Sequence, residues 1–177
     1  MTTSTRGQTC GHMIRATAPL VTRFCTGFDD TNRTSQAPGL PNHAAWTLGH
    51  LALTMHRFAE RFDDQPLPAG DFITGDGTSG TTERYDTESV CFGSTPTDDP
   101  AKYPSMQRAE RVFGSAIDRL AAALESLSDE RFDEEQPWGS GRFTVQDLAV
   151  RVAFHNGTHA GQLTDLRRAL GLPRVIG

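Results

Sequence analysis

His155 and His159 stand four residues apart in the stretch HNGTHAGQL. On an α-helix that spacing points both imidazoles the same way, about one turn above each other. A single metal ion can take one nitrogen from each. The competing reading is two ordinary histidines, hydrogen-bonded or solvated. The surrounding sequence decides between them. Measured from His155 at about 100° per residue, the residues Val145, Leu148, Val152, His159, Leu163, Leu166 and Leu170 fall within about 80° on one side. The pair therefore lies inside the apolar stripe that a helix turns toward a core. Two buried imidazoles without partners forfeit several hydrogen bonds, a cost that a bound cation removes.

His50 is the candidate third ligand. It sits mid-segment in NHAAWTLGHLALTMHRFAERF, which is apolar on two sides. Leu48, Leu51, Met55, Phe58 and Phe62 make one stripe, and Trp46 and Leu53 make another. Gly49 beside it leaves room for a neighbouring helix. Three neutral histidines leave open positions on a divalent ion, as in catalytic rather than closed structural sites. Zinc is the default metal, and nickel or iron also suit imidazole.

Other residues flank this triad. Gln162 lies one turn past His159 and Arg151 one turn before His155. Each reads either as a substrate or ligand-supporting contact or as an ordinary helix edge. Trp46 reads as core or pocket wall. His43 shares His50's face but lies about 10 Å along the axis, too far to share the ion; its place is the mouth of a pocket. His56 is turned about 120° from His50 and is expected to be exposed. His12 is expected to be solvated.

These side chains need helices to hold them. Periodicity predicts four: about Thr9 to Asp29, a second beginning at the Asn42 N-cap, about Ser105 to Leu127, and about Val145 to Leu170. Pro19 should kink or divide the first. The last is the best marked. Thr144 and Asp147 form a capping box, Phe143 and Leu148 a hydrophobic staple, and Gly171–Pro173 a stop signal. Between the second and third helices lies a long stretch rich in Gly, Thr, Asp and Pro, with a weak hairpin signal at Thr82–Cys91. A connection that long either covers a site or crosses from one end of a bundle to the other. The fold class that follows is an all-α four-helix bundle with one long crossover, with residues 1–177 forming one domain.

Composition narrows the partners. The 177-residue chain is 36% hydrophobic with a formal net charge of −5 and no concentration of Lys and Arg, which argues against nucleic acid. No apolar run approaches the roughly 20 residues of a membrane span. Cys10, Cys25 and Cys91 have no metal-like spacing and read as free thiols. A cytoplasmic location is the expectation.

The segments WTLGHLA at 46–52 and HNGTHAGQLTDLRRALGLP at 155–173 resemble the DinB/YfiT-like superfamily. FGSTPTDDPAKYPS and FTVQDLAVRVAFH are similar to it as well. The resemblance runs from about residue 40 to the C-terminus. It implies a four-helix bundle with a crossover, a divalent metal on His50, His155 and His159, and association as a homodimer. It also implies kinship with transferases and isomerases that use a low-molecular-weight thiol such as mycothiol or bacillithiol. The chain departs from the pattern at Asn156, where many members carry Glu; asparagine is no general base. Gly161 replaces the Glu found in the related ergothioneine-forming enzymes.

Three functions follow as alternatives. One is a metal-dependent thiol S-transferase or hydrolase acting on a small-molecule substrate. Another is a non-catalytic, metal-dependent binding or stress-response module. The third is a bundle with structural histidines that works through a protein interface.

Overall fold

The computed structural model describes residues 5–75 and 81–176. Four long helices carry the fold: α1 (Thr5–Cys25), α2 (Ala44–Asp63), then, after a one-turn helix α3 (Thr87–Val90), α4 (Met106–Glu125) and α5 (Val145–Ala169). α1 and α2 each pack against both α4 and α5, so the four helices close a ring around a shared core. Ile14, Leu51, Leu120 and Leu163, one from each helix, are fully buried in it. The all-α bundle expected from periodicity is the architecture found.

The helix starts follow local chemistry. Ser105 Oγ accepts from the Arg108 N–H at 3.3 Å, and Thr144 Oγ1 accepts from the Asp147 N–H at 3.1 Å. Each satisfies a backbone donor that the first turn leaves free. Thr144→Ala is expected to cost about 1 kcal/mol of stability, read as a lower urea midpoint at unchanged slope.

Two expectations about helix ends change. α1 begins one turn earlier than periodicity indicates and runs through Pro19 undivided. Pro19 lies on the exposed side, where water can satisfy the carbonyl that loses its proline partner. The cap of α2 is His43, not Asn42: His43 Nδ1 accepts from the Trp46 N–H at 3.1 Å. Asn42 instead spends its amide across the bundle, donating from Nδ2 to Gln162 Oε1 at 3.1 Å.

The connection between α2 and α4 has little helix to stabilise it. Strands β1 (Phe72–Ile73) and β2 (Tyr85–Asp86) pair in parallel within it. The hairpin expected around Thr82–Cys91 does not form. Asp86 Oδ1 accepts from the Glu88 N–H at 2.9 Å, capping α3 and turning the chain into a helical turn instead of a return strand. Arginines then tie the crossover down. Arg33 donates to the Pro100 and Pro104 carbonyls, each at 3.0 Å. Arg108 reaches Asp71 and the carbonyls of Gly70 and Glu83. Arg119 grips Asp63 and the Gln65 and Pro66 carbonyls.

A hairpin does form before α5, between β3 (Glu135–Trp138) and β4 (Gly141–Thr144). Its two-residue turn is Gly139–Ser140, with Gly139 at φ +60°. Glycine reaches that conformation at no steric cost.

Candidate metal centre

α2 and α5 pack together and bring His50 against the His155/His159 pair. His50 Nε2 lies 3.1 Å from His155 Nε2, and His159 Nε2 lies 3.2 Å from the same atom. All three nitrogens fall within 4.8 Å of one another. Three imidazoles thus aim one nitrogen each at a common point, between two separate helices.

Proton bookkeeping shows what that point lacks. His50 Nδ1 is 2.8 Å from the Val90 carbonyl oxygen. A carbonyl only accepts, so Nδ1 carries the proton and His50 Nε2 turns a bare lone pair inward. If His155 is protonated on Nε2, that one proton must serve both neighbours. If it is not, two lone pairs face each other at 3.1 Å. The buried Nδ1 atoms of His155 and His159 have no hydrogen-bond partner. Gln162 lies beside His159 and counters part of its pKa shift, but it does not reach that nitrogen with hydrogen-bond geometry. This donor set fits a divalent cation, which accepts all three lone pairs at once.

Burial keeps the imidazoles in the neutral form that a metal requires. It lowers the pKa of His50. It pushes His155 down to about 3, with His159 and His50 adding charge repulsion. It pushes His159 down to about 4, with His50 adding to the effect.

Trp46 stacks on the His50 ring, with centroids 4.5 Å apart and planes within 8°. Its Nε1 donates to Ser94 Oγ at 2.9 Å, fixing the indole. These rings form one wall of a cavity of about 650 Å³ into which His50, His155 and His159 all open. Phe92, Ser94 and Trp138 line it as well. A volume of this order suits a small-molecule site.

The other sequence candidates fall elsewhere. Gln162 is half-buried at the end of the site and is held by Asn42. Arg151 is exposed, its guanidinium 3.8 Å from the centre of the Phe143 ring, and it is not part of the cavity lining. Its position on α5 faces the hairpin, where an aromatic face attracts the cation. His43 is fully buried, not at a pocket mouth, because capping α2 turns it into the core, edge-on to Tyr103 at 4.5 Å. His56 is buried, contrary to the exposure expected. Phe72 of the crossover covers it edge-on at 5.7 Å, and its Nδ1 accepts from Arg119 at 3.1 Å. Helical periodicity assigns faces within one helix and is silent on a loop that wraps it. His12 is exposed as expected.

Gly49 also serves a different neighbour. A Cβ there would lie 2.7 Å from Tyr85 Cδ1 and 2.8 Å from Cζ. The bare backbone admits the Tyr85 ring rather than a helix, and Tyr85 donates its hydroxyl proton to the Ala45 carbonyl at 2.8 Å. That contact seats the crossover beside His50. Val90, Phe92 and Trp138 are site residues that pattern reading misses. Trp138 had a usable signal, the Gly-Ser turn that follows it. Val90 acts through its backbone and had none.

Buried neutral histidines away from the centre set an acid limit. Burial lowers His43 to about 4, and burial with Arg119 lowers His56 to about 4. Unfolded, each titrates near 6.5. Between those values the unfolded chain binds more protons, so stability is complete above about pH 6.5 and falls as pH drops toward 4. Each residue accounts for a loss on the order of 3 kcal/mol by pH 4. Urea titrations of the metal-free protein are expected to be flat above pH 7 and to weaken steeply below 6. His56→Gln is expected to remove part of that slope.

The DinB superfamily model matches residues 13–163. The chain belongs to the DinB superfamily. The match takes in all three clustered histidines of this DinB protein. No curated protein matches it. Its fold is similar to that of a conserved protein from Enterococcus faecalis, with a TM-score of 0.70 at 14% identity, covering 93% of this chain and 96% of that one. At that identity the likeness speaks for the fold alone. No helix among the described residues is long and apolar enough to cross a membrane.

Proposed function

We propose that this DinB protein is a metal-dependent enzyme that joins a small thiol, or water, to a small electrophilic substrate. The observation that carries the reading is the convergence of three neutral imidazoles on the wall of a cavity of about 650 Å³. Three donors from His50, His155 and His159 would hold a divalent ion, with zinc the first choice and nickel or iron compatible. When bound there, such an ion supplies Lewis acidity and lowers the pKa of a water or thiol at its open positions. The chain's own residues do the rest. The Val90 carbonyl and the Trp46 stack fix the His50 ring, and the walls of the cavity seat the substrate and limit water.

One observation favours a second reading, a non-catalytic metal-dependent binding module. Asn156, beside His155, is buried, and its Nδ2 donates to Thr17 Oγ1 at 3.0 Å. It is neither a base nor part of the cavity lining. The two readings separate by turnover. Tag-free, zinc-loaded protein with monobromobimane and a cysteine-derived thiol is expected to consume thiol faster than the metal-free protein, and His155→Ala to match the metal-free rate. Equal rates with and without zinc for every thiol tried, together with no zinc-dependent hydrolysis of the electrophile, would overturn the enzyme reading in favour of the binding module.

Val150 and Phe154 are exposed apolar side chains one turn apart on α5, which supports a homodimer; sedimentation of the purified protein tests it. The thiols of Cys10, Cys25 and Cys91 are free, which supports a reducing, cytoplasmic setting.

A further inference from the structure

We infer that the cavity beside the three histidines selects an uncharged substrate with a flat apolar body. The inference rests on the small-molecule reading above and adds the substrate class. Its basis is the lining. Trp46, Phe92 and Trp138 supply aromatic lining, and the polar side chains among the described lining residues, apart from the histidines, are the neutral Asn42, Thr54 and Ser94. Two of these are already engaged: Asn42 donates to Gln162, and Ser94 accepts from Trp46. No Lys, Arg, Asp or Glu lies among the described residues of this wall. A charged group there would lose its water with no counter-ion of the chain's own to replace it.

The aromatic residues are arranged to receive a flat group. Trp46 is immobilised by its stack on His50 and its bond to Ser94. Trp138 is braced edge-on against Phe58 at 6.0 Å, with Arg61 over its ring at 5.9 Å. Phe92 has no such support. It is 95% exposed, directly before Gly93 at φ +84°, yet it lines the cavity. An apolar ring left in water at the rim of an apolar cavity gains burial when a flat ligand slides beneath it.

The charged side chains lie next door. A smaller cavity of about 370 Å³ shares His50, Thr54, Phe92 and Trp138 with the first and is lined in addition by Arg57 and Glu88. Charged side chains thus enter the lining of the smaller cavity, while the described lining of the larger one holds none.

The test compares three probes with one ring system: 2-naphthylmethanol, naphthalene-2-sulfonate and 2-naphthyltrimethylammonium. Binding is followed by tryptophan fluorescence and calorimetry on the zinc-loaded protein and again on the metal-free protein. On the metal-free protein the neutral probe is expected to bind at least tenfold more tightly than either ion; on the zinc-loaded protein the same margin is expected over the cation, whereas the metal's own charge favours the sulfonate. Phe92→Ser, a change at an exposed position that leaves folding intact, is expected to weaken binding of the neutral probe at least threefold, and Trp138→Ala more. Equal or tighter binding of either ion by the metal-free protein, or no effect of Phe92→Ser, would overturn the inference. Zinc stoichiometry measured on the same samples keeps the two ideas apart. Zinc bound without naphthyl selectivity sinks only the substrate class, whereas selective naphthyl binding without zinc sinks only the metal reading.

Discussion

His155→Ala is expected to lower zinc affinity roughly 100- to 1,000-fold while leaving the metal-free protein about as stable as the parent. The first part follows from ligand count. A structural zinc site with a full ligand set is worth about 10–16 kcal/mol, so one imidazole of a small set carries a few kcal/mol. The second part follows from proton bookkeeping. Without metal, His155 makes close contacts to two imidazoles that one proton cannot satisfy well, and its Nδ1 has no partner. His155 is half-buried and opens into the cavity, so water can take its place beside the two remaining imidazoles at little cost. Competition with a chelating indicator dye gives the affinity, and urea unfolding with chelator present gives the stability. A variant that lost both together would point to a structural role for the imidazole.

Gly49→Ala is expected to damage the same centre from a distance. The added methyl would overlap the Tyr85 ring, and both groups are buried. Overpacking of this kind costs about 1–3 kcal/mol. The strain is relieved by moving the crossover, because α2 is locked in the core. Val90 travels with Tyr85, five residues before it, and its carbonyl then leaves His50 Nδ1. Loss of such a supporting contact typically costs 10- to 100-fold in metal affinity. Tyr85→Phe is the control. It removes only the hydroxyl bond to Ala45, worth about 1 kcal/mol, and is expected to leave zinc affinity unchanged. Gly49→Ala combined with Tyr85→Leu is expected to recover part of the zinc affinity, since the smaller side chain yields the space.

The parts of this protein legible in its sequence are those governed by one helix at a time. The stripe containing His155 and His159 could be read because an α-helix fixes the angle between its own side chains. The cap at Thr144 and the stop at Gly171 are local signals, and α5 (Val145–Ala169) closely follows them. What escaped depends on contacts between distant segments. His56 looked exposed until Phe72, sixteen residues on, covered it. His43 looked like a pocket residue until Asn42 turned to α5 and left it to cap α2. The crossover could not be placed because arginine-to-carbonyl bonds, not an apolar period, hold it. The residue that orients His50 contributes only a backbone carbonyl, to which side-chain pattern is blind.

X-ray absorption at the zinc edge, on protein loaded with one equivalent of zinc, puts the central claim to its most direct test. Three imidazole nitrogens at about 2.0–2.1 Å are expected, with one or two further light-atom scatterers and no sulfur. The His155→Ala spectrum is expected to lose one imidazole contribution or the bound zinc altogether. A first shell containing sulfur at about 2.3 Å, or one with fewer than three imidazoles that His155→Ala leaves unchanged, would contradict the account.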